Sequence, residues 1–396
     1  MIVFHIDVNN AFLSWEALER LKEDPSCVDL RTIPSIVGGS EENRHGIVVA
    51  KSTPAKKYGI KTAETLSDAR KKCPNLTIVP PRHHIYKQYS RKLIGYLRQL
   101  SPLVEQFSID EAFVDMTECP LLSRYTPVDA ANFVREEVFR RFGFTVNIGV
   151  STTKILAKMA SDFEKPNKVH SLFPEEIQEK MWGLPVGELF FVGKASSKKL
   201  YNLGIRTIGE LAQFDKDIIR SHMGKHGILI HDYANGIDPS PVVSEQADAK
   251  GYGNSTTLSR DITDASEAKK TLCALCESVG RRLRNDDVMA YVVAVTIKDH
   301  TFHQGSHQCT LTTATNDTAE LYKYVCELFD DFWDGTPIRL LGVSTSKITK
   351  QKEQQLTLFN TAQFQKQGKM EEAVQEIRKK FGDNAVFRAS SLENRE

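Results

Sequence analysis

The sequence has no long apolar run, no basic leader and no regular set of cysteines, and each absence excludes a class of protein. No stretch is apolar for long enough to cross a bilayer. The first ten residues, MIVFHIDVNN, alternate like a strand instead of resembling a signal peptide. The seven cysteines are scattered and odd in number, which favours reduced thiols over a disulfide framework. We therefore expect a cytoplasmic protein with no membrane partner.

A surplus of charge is also missing, since 52 Lys and Arg residues face 51 Asp and Glu residues. The overall charge balance therefore does not indicate a nucleic-acid partner, which has to be argued from local groups. The content of 40% hydrophobic and 26% charged residues is typical of a folded globular protein and excludes a disordered one. A length of 396 residues predicts two to four domains.

Hydrophobic periodicity divides the chain into regions of different character. Strands and helices alternate up to residue 172, too irregularly for a doubly wound sheet, and favour an α+β sheet with an inserted helical piece. Residues 173–238 read as helical, and 239–250, with two prolines and no periodicity, read as a linker. Residues 251–349 predict a second α+β unit. Its predicted strands are YGNSTTLS, AYVVAVTIKD and LLGVSTSKI.

Two acids interrupt an otherwise apolar run of strand-forming residues, QFSIDEAFVDM at 106–116. Because side chains alternate faces along a strand, either Asp110 or Glu111 should point to a core, where an unpaired carboxylate is costly. Asp7 ends the first predicted strand in a similar way. Carboxylates gathered in one sheet repel each other, and a hard divalent cation such as Mg²⁺ relieves that repulsion. The spacing alone leaves a turn-capping or solvent-facing role equally open.

Three ordered stretches resemble the palm motifs of the Y-family, or translesion, DNA polymerases. They are IDVNNAF, SIDEAFVDM and NIGVSTTKILAKMASDFEKPN. A further stretch, LPVGELFFVGKASSKKLYNLGIRTIGELA, is similar to the family's thumb with its helix-hairpin-helix units. The likeness covers nearly the whole chain, and the chain resembles the group that contains DNA polymerase IV. The fingers stretch KSTPAKKYG is also similar to the UmuC-like branch.

The resemblance implies an α+β right-hand polymerase with a palm, small fingers, a helical thumb and a separate α+β little finger. The expected boundaries are palm 1–10 and 82–172, fingers 11–81, thumb 173–238, linker 239–250, little finger 251–349 and a tail at 350–396.

The resemblance also implies roles for individual residues. Asp7, Asp110 and Glu111 would be catalytic and, with the carbonyl of Val8, would bind two Mg²⁺ ions. Phe12 has the steric-gate position, where its ring would exclude a ribose 2′-hydroxyl. The nucleotide-binding candidates are Val8, Asn10, Ala11, Phe12, Lys56 and Lys165.

The fingers depart from the family's common Tyr-x-x-Arg pair. Thr53 stands at the tyrosine position and Lys56 at the arginine position. Lysine keeps the positive charge of arginine but not its planar fork, so the grip on phosphate should differ.

The tail sequence QLTLF at 355–359 resembles the pentapeptide that binds the bacterial sliding clamp. In such a peptide, leucine and phenylalanine enter an apolar cleft while glutamine hydrogen-bonds at its edge. A short apolar tail segment could equally pack on its own domain. The clamp-binding candidates are Gln355, Leu356, Leu358 and Phe359.

The sequence therefore predicts a monomeric, template-directed DNA polymerase that performs translesion synthesis. Its partners would be primer–template DNA, deoxynucleoside triphosphates and the bacterial sliding clamp. Alternatives remain open: a UmuC-like subunit that needs partner proteins, a palm enzyme similar to a nucleotide cyclase, and a non-catalytic protein that binds DNA or the clamp.

Overall fold

The computed structural model describes residues 1–39, 44, 46–245 and 248–350, with scattered positions between 373 and 386. The chain forms two compact units, the first containing Met1–Gly39 and Gly46–Gln246 and the second containing Ser40–His45 and Ala247–Glu396. Among the described residues, no helix combines the length and the apolar character that a membrane span requires.

Strands and helices alternate in the first part of the first unit, and helices alone follow. The strands are β1 (Val3–Val8), β2 (Ser35–Gly38), β3 (Val48–Lys51), β4 (Thr77–Val79), β5 (Val104–Gln106), β6 (Glu111–Asp115), β7 (Val146–Ser151) and β8 (Val169–Ser171). The helices are α1 (Ala11–Glu23), α2 (Thr53–Lys57), α3 (Leu66–Lys72), α4 (His83–Leu100), α5 (Pro127–Phe142), α6 (Lys154–Asp162), α7 (Ile177–Lys180), α8 (Lys194–Asn202), α9 (Ile208–Gln213) and α10 (Lys216–Ala234).

A five-stranded sheet in the order β5-β6-β1-β7-β8 forms the centre of the first unit. β1 lies in the middle and pairs antiparallel with β6 and β7. Phe4, Ile6 and Val8 of β1 enter the main core with residues of α1, α4 and α5. Because side chains alternate along a strand, His5 and Asp7 point to the opposite face, against which α6 packs.

A tight turn interrupts the strand-forming run at 106–116, which the sequence predicts to be continuous. The amide of Phe107 donates to the carbonyl of Glu111 at 3.0 Å, and the Ser108 hydroxyl accepts from the Glu111 amide at 3.1 Å. The prediction of one continuous strand was therefore wrong. Asp110 lies in the turn, and β6 begins at Glu111.

A smaller sheet in the order β3-β2-β4 is formed by strands that come between β1 and β5 in the sequence. Four buried residues are too few to show a period, so hydrophobic periodicity does not predict β2. β2 pairs antiparallel with β3 and parallel with β4. This pairing sets the direction of β3, whose last residue is Lys51.

The helices after β8 share a core to which α6 also contributes. Gly224, with φ of 63° and ψ of −145°, divides α10 into two helical segments. Gly204, with φ of 84°, occupies the turn between α8 and α9, inside the predicted NLGIRTIGEL hairpin. Glycines therefore make two of the breaks between the helical segments of residues 194–234, at Gly204 and at Gly224.

The first half of the predicted linker packs on the central sheet. Val242 is buried against Val3 and Phe113. The amide of Val243 donates to a carboxylate oxygen of Glu105 at 3.0 Å. The absence of periodicity that predicted a linker therefore does not mean an absence of tertiary contacts.

The second unit is a four-stranded antiparallel sheet in the order β11-β10-β12-β9. Its strands are β9 (Gly251–Ile262), β10 (Met289–Asp299), β11 (Gln304–Thr315) and β12 (Ile338–Thr349). Helices α11 (Ala265–Asn285) and α12 (Thr318–Phe332) pack into its core. The predicted set of three strands was incomplete, since β11 is a further one. β11 is an edge strand with mainly exposed polar residues, so it carries a weak apolar signal.

Candidate active site

The three predicted acids lie at neighbouring ends of two adjacent strands. Asp7 on β1 is the direct register partner of Glu111 on β6. The amide of Val8 donates to the carbonyl of Asp110 at 3.1 Å, which ties the turn to the end of β1. Residues more than a hundred positions apart in the sequence are therefore adjacent in the sheet.

These acids line a cleft of about 420 Å³ in the first unit. The structure brings every predicted catalytic and nucleotide-binding residue to this cleft. They are Asp7, Val8, Asn10, Ala11, Phe12, Lys56, Asp110, Glu111 and Lys165. The clamp-binding candidates, Gln355, Leu356, Leu358 and Phe359, lie outside the described residues.

Asp7 is 7% exposed and its charge is balanced by a lysine. The ammonium group of Lys165 donates to Oδ2 of Asp7 and also pairs with Asp162 at 2.7 Å. Burial raises the pKa of Asp7 to about 6, against the opposing effect of Lys165. The pKa of Lys165 is raised because its two carboxylate partners outweigh its own burial. Burial therefore disfavours the charged form of Asp7, and the positive charge of Lys165 offsets part of that effect.

Glu111 has the opposite electrostatic balance. Burial would raise its pKa, but contacts with His5 and Lys158 lower the pKa of Glu111 to about 2. Lys158, on α6, donates to Oε1 at 2.8 Å, while Nε2 of His5 lies 3.8 Å from Oε2. Burial lowers the pKa of His5 to about 4, so its ring is neutral at pH 7. Lys158 is therefore the cation that keeps Glu111 ionised.

Asp110 is half-buried in the turn before β6. The Ser108 hydroxyl donates to its Oδ1 at 2.7 Å. A serine two residues earlier thus orients the carboxylate and leaves Oδ2 for other ligands. The position in a turn explains how Asp110 and Glu111, although consecutive, both line the cleft.

Two buried asparagines fix the loop that carries Lys165. Nδ2 of Asn147, on β7, donates to the carbonyl of Glu164 at 2.7 Å. Oδ1 of Asn9 accepts from the amide of Asn167 at 2.8 Å, and Asn9 and Asn147 also bond to each other at 3.1 Å. The reasoning from sequence missed both residues. A polar residue inside an apolar strand, such as Asn147 in TVNIGVS, is the signal that could have found one of them.

Phe12 both packs in the core and faces the cleft. Its ring stacks on Tyr86 with centroids 4.7 Å apart and an interplanar angle of 17°. The backbone that places it begins at Asn10, which has a left-handed φ of 49°, and the Ser14 hydroxyl donates to the carbonyl of Asn9 at 2.7 Å. Phe12 is thus held at the start of α1 as one wall of the cleft.

The fingers positions show one contact that the sequence did not predict. Lys56, on α2, lines the cleft, whereas Thr53 is exposed and is not among the lining residues. Nδ2 of the Asn10 side chain donates to Oγ1 of Thr53 at 3.4 Å. Lys51, at the end of β3, also lines the cleft and was missed by the reasoning from sequence.

The donor set fits a hard divalent cation. Carboxylate oxygens of Asp7, Asp110 and Glu111 and the backbone of Val8 converge on one cleft, and such oxygens are what Mg²⁺ prefers. In the described part of the chain, however, no three His, Cys, Asp or Glu side chains are already arranged as a metal-binding group. Lysines pair instead with the carboxylates of Asp7 and Glu111.

Comparisons with known proteins give consistent results. The model of the impB/mucB/samB family matches residues 6–162, and the model of the impB/mucB/samB family C-terminal domain matches residues 249–358. A protein named DNA polymerase IV from Clostridium acetobutylicum is 43% identical over 395 residues, covering 100% of this chain and 99% of the relative. A DNA polymerase IV from Alkaliphilus oremlandii is 37% identical, covering 99% of both chains.

A solved structure also resembles this chain. It is a Y-family DNA polymerase chimera, Dbh-Dpo4(243-245)-Dbh, with a TM-score of 0.76 and 22% sequence identity. The match covers 89% of this chain and 100% of that chain, so it supports the fold.

Proposed function

The chain belongs to the impB/mucB/samB family and is a translesion DNA polymerase of the Y family, and from that premise we propose that it extends a primer 3′-hydroxyl by two-magnesium nucleotidyl transfer in the cleft. The relatives confirm the predicted family and enzyme class, and the solved structure confirms the predicted α+β right-hand fold. The relatives' name favours a polymerase over a cyclase or a non-catalytic binding protein. The domain boundaries given above remain our proposal.

One observation carries this proposal: the acids, the aromatic gate and the lysines come together in a single cleft. Template-directed nucleotidyl transfer requires acids that bind cations, a ring that contacts the sugar and ammonium groups that bind phosphates. A nucleotide cyclase needs no separate second unit, and a binding protein needs no convergent acids.

A divalent-metal dependence follows from the family relation, and Mg²⁺ with two ions per site is our proposal. Asp7, Asp110, Glu111 and the carbonyl of Val8 would hold the ions. When bound, Mg²⁺ supplies an activated primer hydroxyl and charge neutralisation on the phosphates.

The side chains of the protein contribute the remaining functions. With its pKa at about 2, Glu111 is ionised at every pH near neutrality and presents a full negative charge instead of storing a proton. Lys56 and Lys165 offer ammonium groups to the triphosphate. The ring of Phe12, fixed by Tyr86, excludes a ribose 2′-hydroxyl from the space beneath the sugar.

The test is primer extension by the purified chain on undamaged and lesion-containing templates, with Mg²⁺ and with a chelator. We expect extension that requires the metal and continues past a lesion. Extension that appears only after partner proteins are added would support the UmuC-like alternative. The number of ions would be counted by Mn²⁺ titration of the complex with DNA and nucleotide, where a single ion would contradict the two-metal site.

We also propose that residues 355–359 tether the enzyme to the bacterial sliding clamp. The motif supports this, and tethering raises the effective concentration of DNA at the site. A variant with Leu358→Ala and Phe359→Ala should extend primers normally without the clamp and lose stimulation by it. Undiminished stimulation would show that the clamp binds elsewhere or not at all.

A further inference from the structure

The cleft contains a lysine for which neither the motifs nor the comparisons provide a role. Lys51 is the last residue of β3, on the small β3-β2-β4 sheet. It lines the same cleft as Lys56 and Lys165. These three lysines bring three ammonium groups toward one space.

Their partners differ. Lys165 is paired with Asp7 and Asp162. Among the residues that the structure describes, neither Lys51 nor Lys56 makes an ion pair. Glu64 is the acid that raises the pKa of Lys51, but the two side chains do not form an ion pair. Oε2 of Glu64 pairs with Lys72 at 2.5 Å, and Oε1 of Glu64 has no hydrogen-bond partner.

Neighbouring positive charges also disfavour the charged forms of the two unpaired lysines. Burial lowers the pKa of Lys51, and Lys61 and Lys72 lower it further against the opposing effect of Glu64. Partial burial likewise lowers the pKa of Lys56, with added repulsion from Lys51 and Lys165 against the attraction of Asp7. An anion that carries several charges would relieve this repulsion, whereas a single carboxylate would relieve only part of it.

We propose that Lys51 and Lys56 together bind the terminal phosphates of the incoming nucleoside triphosphate, with Lys51 as an affinity-determining residue. This inference rests on the proposed polymerase function. An ammonium group donates up to three hydrogen bonds. The ammonium groups of Lys51 and Lys56 can therefore both bind oxygens of one terminal phosphate.

Phosphates in the cleft could also come from the DNA backbone, and the experiment separates the two sources. Lys51→Met removes the charge while keeping the length of the side chain. We expect KM for the deoxynucleotide to rise roughly tenfold, kcat to change less than about threefold, and Kd for primer–template to stay unchanged. Lys51→Arg should restore most of the loss.

A matched control is available on the neighbouring helix. Lys57 is exposed on α2 and does not line the cleft, so Lys57→Met should leave KM unchanged. A rise in Kd for primer–template without a rise in KM would assign Lys51 to the DNA backbone and overturn the proposal. So would an unchanged KM in an active Lys51→Met enzyme.

Amine labelling followed by mass spectrometry gives a readout that does not need catalysis. A non-hydrolysable deoxynucleoside triphosphate with Mg²⁺ and primer–template should protect Lys51 and Lys56 from labelling and leave Lys57 reactive. Equal labelling of Lys51 with and without the nucleotide would overturn the proposal. Failure of the wild-type chain to extend a primer would instead count against the polymerase function, and the labelling result would still stand by itself.

Discussion

The two walls of the cleft carry charge in different ways. On the wall formed by the central sheet, Asp7 is paired with Lys165 and Glu111 with Lys158. On the wall formed by β3 and α2, Lys51 and Lys56 make no ion pair with any described residue. Paired charges keep their geometry before any ligand arrives, whereas the unpaired ammonium groups of half-buried Lys51 and exposed Lys56 are available to an anionic ligand.

The sheet wall itself contains a second contrast. Asp7 and Glu111 are register partners, yet the pKa of Asp7 is raised to about 6 and that of Glu111 is lowered to about 2. Burial dominates for Asp7, while His5 and Lys158 outweigh burial for Glu111. The ionised carboxylate of Asp7 therefore destabilises the fold, whereas that of Glu111 stabilises it.

The largest effect should follow the loss of Asp110, the acid that no lysine occupies in the described structure. Asp110→Ala should reduce primer extension by at least roughly a thousandfold, because the variant lacks a carboxylate that we propose as a metal ligand at the reacting centre. Steady-state kinetics on a primer–template measures this. Glu118→Ala, an exposed acid just beyond β6, should extend normally. If both variants were equally active, the assigned centre would be wrong.

The next largest effect concerns sugar selectivity. Phe12→Ala opens the wall beside the sugar and should raise the relative use of ribonucleotides roughly a hundredfold. The measurement is the ratio of kcat/KM for a deoxynucleotide to that for the matching ribonucleotide. Phe12→Tyr keeps the ring and should preserve discrimination. An unchanged ratio in Phe12→Ala would reduce Phe12 to a core residue that stacks on Tyr86.

The contrast between the paired acids predicts opposite effects on stability. At pH 7.5, Asp7→Asn should increase the free energy of unfolding by roughly 1–3 kcal/mol, and Glu111→Gln should decrease it by a similar amount. Urea unfolding of the two variants measures both. The matched carboxylate-to-amide changes keep the side-chain shapes, so the difference in sign isolates the charge.

The pH dependence gives the sign of each effect independently. The folded-state pKa of Asp7 lies above its ordinary 3.8, so its cost is present above about pH 6 and disappears as the pH falls toward 4. The gain from Asp7→Asn should therefore vanish near pH 4. The folded-state pKa of Glu111 lies below 4.5, so its stabilisation is present above that pH and is lost as the pH falls toward 2. Effects of equal sign at pH 7.5 would refute the contrast.

The smallest effect should come from the fingers wall. Lys56→Arg restores a planar fork that can bond two phosphate oxygens at once. We expect KM for the deoxynucleotide to fall roughly threefold with little change in kcat. A rise in KM would indicate that the longer arginine does not fit beside Lys51.

Much of the site could be predicted from the sequence, because its parts lie in short contiguous motifs. Asp7 and Phe12 are five positions apart, and Asp110 and Glu111 are consecutive. All of them line the cleft. The turn that holds Asp110 was not predicted, since it depends on bonds from Ser108 and Phe107 to Glu111. Edge strand β11 was missed because it buries few apolar residues.

The partners of the acids could not be predicted, for a different reason. Lys158 is one of several lysines in TTKILAKMASDFEK, and nothing in the sequence distinguishes it from its neighbours. It meets Glu111 only because α6 packs on the face of β1 that carries His5 and Asp7. Lys51 likewise reaches the cleft only through the pairing of β3 with β2.

The sequence by itself determined which chemical groups are present and, through ordered motifs, the family and the acids of the site. Tertiary structure alone decided which of those charges are paired, and hence that Asp7 and Glu111 differ in pKa while Lys51 and Lys56 remain without carboxylate partners among the described residues. The physical reason is that charge interactions depend on distance and burial, and strand pairing and helix packing set both between residues far apart in the chain.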